Sequence, residues 1–356
     1  MQPFALTVKL RGEAVVGVAQ ARAGYCARDI QTLVRGKSVE STLEIVERSC
    51  ALAGHAHRTA TCQAIENALD VVPSSRAQQV RAAFAEIERM LARLWALGQI
   101  ARAAGVDAAW RDALDQRELL FAALYQTTGE RVFWGIPVPG GVRDLDPPLD
   151  DAALTQALTR LELALATWRA TAGAREPLGR AVAGVGTLST ARARDLALTG
   201  IAARAAGLDA DLRRDAPYGA YTNLRDAWQE MSSAPTTGDG AARLEVAVDD
   251  LATSLDLARR FLGGALEADA SDISVDVATA AARRGGADGA ATVEGPHGPV
   301  SVSLTLTPDG AVERLRLDAP GAGVLAALPE LLQDQPVALA PVIIASLDLC
   351  VECLDQ

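Results

Sequence analysis

Aromatic residues are scarce in this chain: Phe, Trp and Tyr together make up 4% of its 356 residues. With so few rings the core has to be filled by aliphatic side chains and abundant alanine, which fits closely spaced helices. An excess of cationic charge is missing as well. The formal net charge is −11. A nucleic-acid surface needs clustered Lys and Arg to displace counterions, so nucleic-acid binding is not expected. No stretch approaches the roughly 18 to 20 apolar residues of a membrane helix. The best candidate, Leu339 to Leu347, contains Pro341, so no transmembrane segment is expected. The opening MQPFALTVKL lacks the cationic start, apolar run and cleavage site of a secretory signal. Five cysteines are too few and too scattered for a secreted disulfide scaffold. What is present is ordinary globular composition, 49% hydrophobic and 22% charged, rather than that of a disordered chain. The expectation is a soluble, cytoplasmic, mostly helical protein.

Residues 4–22 alternate apolar and polar around Arg11-Gly12-Glu13, which predicts a β-hairpin within 1–25. From about 38 to 126 the spacing becomes helical. Leu43, Val46 and Cys50 share one face, and Phe84, Ile87, Leu91 and Leu94 form another stripe. Pro73-Ser74-Ser75 reads as a break with an N-cap before a helix starting near Arg76. Residues 135–149 are Gly- and Pro-rich loop, and helices are expected over 150–172, 186–205, 221–231 and 241–266. A polar, glycine-rich turn at 282–289 precedes Ala291–Leu306 and Ala311–Leu317. These read as a second hairpin, within 290–318, joined by Thr307-Pro-Asp-Gly310. A short helix near Gly323–Leu332 and an apolar segment running into Cys350 complete the chain. With no internal repeat and no long linker, residues 1–356 read as one α+β unit dominated by helices.

Cys350 and Cys353 stand three apart, so their side chains can grip one ion or oxidise together. Cys50 has Ala53 at the same offset. Two complete pairs would make a four-thiolate site suited to zinc, nickel or low-spin iron. Against this, a lone Cys on an apolar helix commonly serves as a small hydrophobe, and closed structural zinc wants four ligands. Cys26 and Cys62 have no partner at motif spacing and are taken as structural. His55 and His57 point to different sides of a helix, with His57 able to face Cys50. Hydrogen bonding in a polar patch is the competing role for either. His297 lies in Glu294-Gly-Pro-His-Gly298, just before the strand pair.

The stretch Glu47 to Ala53, with His57 beyond it, resembles the N-terminal cysteine motif of NiFe-hydrogenase large subunits, Arg-x-Cys-Gly-x-Cys. Arg28-Asp-Ile-Gln31 with Val34-Arg-Gly-Lys37 is similar to that family's Arg-Gly-x-Glu and Arg-Gly-Arg segment. Thr199 to Tyr221 resembles a segment of the hydrogenase-like subunits of respiratory complex I and its membrane-hydrogenase relatives. Glu294 to Gly298 resembles the Glu-Ala-Pro-Arg-Gly element, and Asp348 to Cys353 the C-terminal Asp-Pro-Cys-x-x-Cys. These anchors come in family order and imply a NiFe-hydrogenase large-subunit-like fold, predominantly α-helical α+β, with N-terminal and C-terminal β-hairpins.

The resemblance also implies roles. Four thiolates of that family hold nickel and an iron carrying cyanide and carbon monoxide. Cys50 and Cys350 map to the nickel-only positions and Cys353 to one bridge, with Ala53 where the other bridge belongs. His57 and His297 map to residues around the cofactor, His297 replacing an arginine over the iron ligands. Gln31 replaces a proton-relay glutamate and cannot titrate. Leu349 replaces a proline, and the tail that precursors lose on maturation does not follow Gln356. The resemblance therefore implies a non-catalytic look-alike of the HupK/HoxV type, with no catalytic residues. Such a protein would be a hydrogenase-maturation scaffold or chaperone, holding the Fe(CN)2(CO) fragment transiently on Cys50, Cys350 and Cys353 without nickel. Its partners would be HypC/HypD-type maturation proteins and the immature large subunit. The alternative is an electron-transfer or quinone-reducing subunit of a complex I-like or group 4 hydrogenase-like complex.

Overall fold

The first element is the expected hairpin. In a computed structural model that describes residues 4–132, 134–144, 151–224, 237–267 and 275–356, β1 (Ala5–Arg11) pairs antiparallel with β2 (Ala14–Arg22). Gly12, at φ 62, makes the turn in a conformation that favours glycine. The hairpin's apolar residues pack on a helix at 322–332, around Val15, Leu328, Leu331 and Leu332.

The chain then enters its helices. After α1 (Ile30–Leu33) come α2 (Val39–Glu47), α3 (Gly54–Leu69), α4 (Ser75–Ala103) and α5 (Asp107–Thr128). Ser38 caps α2, accepting from the Ser41 amide, and Ser74 caps α4, accepting from Ala77. β3 (Pro137–Val138) and β4 (Gly141–Val142) form a small ribbon inside the stretch read as loop; residues 145–149 of that stretch lie outside the described residues. Next are α6 (Asp151–Thr171), α7 (Pro177–Val182), α8 (Thr190–Asp195), α9 (Gly200–Ala205), α10 (Leu212–Asp215), α11 (Gly240–Glu267) and α12 (Val277–Arg284). β5 (Ala287–Gly295), β6 (Gly298–Leu306) and β7 (Val312–Asp318) make one antiparallel sheet in that order. α13 (Ala322–Leu332) and α14 (Ala340–Ser346) end the chain.

Two elements carry the architecture. Helix α4 is buried almost all the way round, against α5 and α11, so its apolar stripe is only part of its buried surface. Helix α3 lies across β5 and β6. Ala56, Ala60, Ala64 and Ala68 recur every fourth residue and form a ridge of small side chains. Strand β5 approaches this ridge so closely that a Cβ at Gly289 would lie 2.0 Å from the Ala64 carbonyl.

Several expected elements differ. The 186–205 helix is two short ones, broken at Ala197, whose φ of 49 is left-handed. Residues 219–224 form a 3₁₀ turn; the rest of the helix expected to 231 lies outside the described residues. The glycine-rich turn at 282–289 is partly the end of α12 and partly the start of β5. The single strand expected over Ala291–Leu306 is two strands, because the chain reverses at Pro296-His297. Proline cannot donate to a ladder, and Gly298 holds φ 127, where a Cβ would lie 2.5 Å from Thr199. That reversal puts His297 at the tip of a turn aimed at the C-terminal arm.

Candidate functional site

The thiols sit on two irregular arms from opposite ends of the chain. Cys50 follows α2, and residues 50–53 form a turn before α3. Cys350 follows α14 after Asp348, whose φ of 53 redirects the backbone out of the helix. Acidic side chains stitch the arms together. Glu352 accepts from the Ala51 amide, and the buried Asp355 accepts from the Gly24 and Cys26 amides. Arg28 donates to the Arg48 and Ser49 carbonyls. The segment 24–28 is thus tied to both arms.

Between them the sulfurs converge. Cys50 Sγ is 3.5 Å from Cys350 Sγ and 3.7 Å from Cys353 Sγ, and all three lie within 4.8 Å of one another. Ala53 is buried in the same cluster, with Leu52 and Ala319 beside it. Hydrogen bonding with Cys353 and Cys50, with help from His297, holds Cys350 well below the usual thiol range despite burial. The same contacts among the sulfurs, together with burial, push Cys50 and Cys353 up.

The histidines take different places. Ser49 Oγ donates its only hydrogen to the Val46 carbonyl at 2.7 Å and lies 2.7 Å from His57 Nδ1. The serine must therefore accept there, which puts the imidazole proton on Nδ1 and leaves the Nε2 lone pair facing Cys353 Sγ at 3.9 Å. Burial lowers His57 to about 4, so it is neutral. His55 is also buried and contacts the Arg81 carbonyl instead, so the two rings do point apart but neither faces solvent. His297 Nδ1 is 2.9 Å from Asp348 Oδ2. Burial pulls this imidazole down, but the Asp348 carboxylate and the Cys350 thiolate outweigh it and raise it to about 10. Gln31 is exposed on α1, and Cys62 is a buried thiol pushed up to about 12 by desolvation.

Behind the thiols runs a buried ionic network that the motifs did not reveal. Arg93, fully buried on α4, donates to Asp348, to the Pro296 carbonyl and to Asp250. Asp250 also pairs with Arg204 at 3.1 Å and Arg213 at 3.2 Å. Arg213 reaches Glu86 at 2.8 Å and Asp211 at 2.7 Å, and the Tyr221 hydroxyl donates to Glu86. Glu86, Arg89 and Arg93, spaced three and four apart within an apolar stretch of α4, are the signal that could have exposed it.

Three kinds of comparison bear on this geometry. The family of the respiratory-chain NADH dehydrogenase 49 kDa subunit matches residues 104–284. A subunit of the F(420)H(2) dehydrogenase of Methanosarcina mazei is 25% identical over 99% of this chain and 94% of its own. The carbon monoxide-induced hydrogenase of Rhodospirillum rubrum is 27% identical over 100% and 96%. Among solved structures, one polypeptide of the membrane-bound sulfane sulfur reductase, an archaeal respiratory membrane complex, superposes with a TM-score of 0.87. It shares 23% identity and covers 100% of this chain and 95% of its own length. At that identity the likeness concerns the fold.

These likenesses correct the functional expectation. They run along nearly the whole length of proteins from respiratory and hydrogen-metabolising systems, so the HupK/HoxV-type identity, the maturation-scaffold role and the HypC/HypD-type and immature-large-subunit partners do not stand. The reason lies in the inference itself. The resemblance set Ala53, Gln31 and His297 against a two-metal motif, and differences from a motif do not say what a chain does instead.

Proposed function

This chain belongs to the family of the 49 kDa subunit of respiratory-chain NADH dehydrogenase, and on that premise we propose that it is a subunit of a complex I-like or group 4 hydrogenase-like respiratory assembly. In this reading it sits at the membrane through its partners. Among the described residues no helix is long and apolar enough to cross a membrane. The fold relation to NiFe-hydrogenase large subunits is part of the same reading, supported by the convergence of Cys50, Cys350 and Cys353. The observation that carries it is the likeness along nearly the whole chain to a subunit of the F(420)H(2) dehydrogenase and to the carbon monoxide-induced hydrogenase.

A nickel–iron centre with four thiolates does not fit this pocket. Ala53 presents a methyl group among the three sulfurs, and a methyl has no lone pair with which to bridge two metals. The chain is therefore read as an electron-transfer or quinone-reducing component, without hydrogen chemistry of its own. Its residues supply a buried cluster of thiols with a charged network beside it. Segment 24–28, tied to both arms, carries the exposed Tyr25, and α1 adds the exposed Leu33. Both are read as contacts for an iron–sulfur subunit.

The test is affinity purification of the tagged chain from its own cells in mild detergent. Stable recovery with an iron–sulfur subunit and membrane-spanning subunits is expected. Recovery of the chain alone, or only with hydrogenase-maturation proteins, would overturn the reading.

A further inference from the structure

We propose that Cys50, Cys350, Cys353 and His57 form a mononuclear, tetrahedral site for one borderline-soft divalent cation of the zinc class. An ion holding sulfur at about 2.3 Å and nitrogen at about 2.0–2.1 Å in a tetrahedron sets its sulfurs about 3.8 Å apart and its nitrogen about 3.5 Å from each sulfur. The sulfur pairs here stand at 3.5 and 3.7 Å, and His57 Nε2 at 3.9 Å from Cys353. Three edges of the tetrahedron are thus already near their final lengths. Closing it requires the His57 ring to draw in toward Cys50 and Cys350.

The surroundings of the ligands point the same way. Ser49 fixes the imidazole as the tautomer whose Nε2 lone pair faces the sulfurs, the arrangement by which outer partners orient ligating histidines. His57 is fully buried, and the three cysteines are at most 5% exposed. Ala53 removes a fourth sulfur, so three thiolates and one imidazole remain, a closed structural set with no open position for substrate. The metal's work here is to clamp the first cysteine arm to the last, joining residues 300 positions apart.

The experiment loads the full-length chain, stripped with a chelator, with Zn²⁺ or Co²⁺ alone. The expected result is about one ion per chain, with the intense visible bands of cobalt in a tetrahedral thiolate site. Cys353→Ser should abolish the bands, whereas Cys26→Ser should leave them unchanged. Ser49→Ala should weaken binding about 10- to 100-fold, with recovery in Ser49→Thr. Each variant is first checked for native circular dichroism. Because the wild type itself is stripped and reloaded, a misfolded variant leaves the conclusion decidable. Three results would overturn the proposal: no binding by the stripped wild type, a disulfide between Cys50 and Cys350, or a cobalt spectrum unmoved by His57→Gln.

Discussion

A single buried carboxylate, Asp250, faces the guanidinium groups of Arg93, Arg204 and Arg213. Removing one partner from a buried ionic set leaves uncompensated charge, at a cost of about 3–5 kcal/mol. Asp250→Ala should therefore lower the unfolding free energy by that amount, measured by chemical denaturation. At this scale acid sensitivity is also set. His55 is buried and lowered to about 4 by desolvation, whereas in the unfolded chain it titrates near 6.5. A depressed histidine contributes stability that is present above about pH 6.5 and lost as pH falls through about 4. Each unit of separation is about 1.4 kcal/mol, so this residue accounts for about 3 kcal/mol across the window. His55→Gln should flatten the fall in stability between those pH values; an unchanged slope would show that His55 is not held neutral. Cys350 and Cys353 were legible as candidate ligands from their spacing, and Cys50 only from the resemblance of the stretch around it. The partner of His57 was not, because a serine eight residues away is visible only once the turn before α3 has closed.

Helices α3 and α4 show how far local pattern reaches. The capped start of α4 after Pro73 and its apolar stripe were readable because both are local features of the chain. The burial of its other faces was not, since it depends on what packs there. The ridge of alanines on α3 matters only because Gly289 lets β5 touch it. Gly289→Ala would place a methyl 2.0 Å from the Ala64 carbonyl, and forced overpacking of this kind costs about 1–3 kcal/mol. Chemical denaturation should show a loss at the upper end of that range. The reversal at Pro296-His297 went unread because an alternating run continues on both sides of it. Period 2 does not say where a strand folds back.

For the whole molecule, residence at the membrane is predicted to depend on other chains. Cell fractionation should place the protein in the membrane pellet, release it with mild detergent, and find it soluble when its membrane-spanning partners are deleted. Retention in the pellet without them would contradict attachment through partners. Local patterning made a mostly helical fold with β-hairpins readable, yet the role drawn from the ordered anchors between residue 28 and the C-terminus was wrong. Motif order follows ancestry, while role depends on the surface and assembly that the rest of the chain preserves.

The sequence by itself determined the chemistry available: few rings, many alanines, three thiols where a two-metal centre needs four, and helices whose periods are written locally. Only the tertiary structure decided that Cys50 and Cys350, 300 residues apart, lie 3.5 Å from each other, that Ala53 faces them, and that Arg93 binds both the His297 turn and Asp348. Local backbone preferences act over a few residues, whereas these contacts arise where the two arms and the strand reversal are packed together by the cores around α3, α4 and α13.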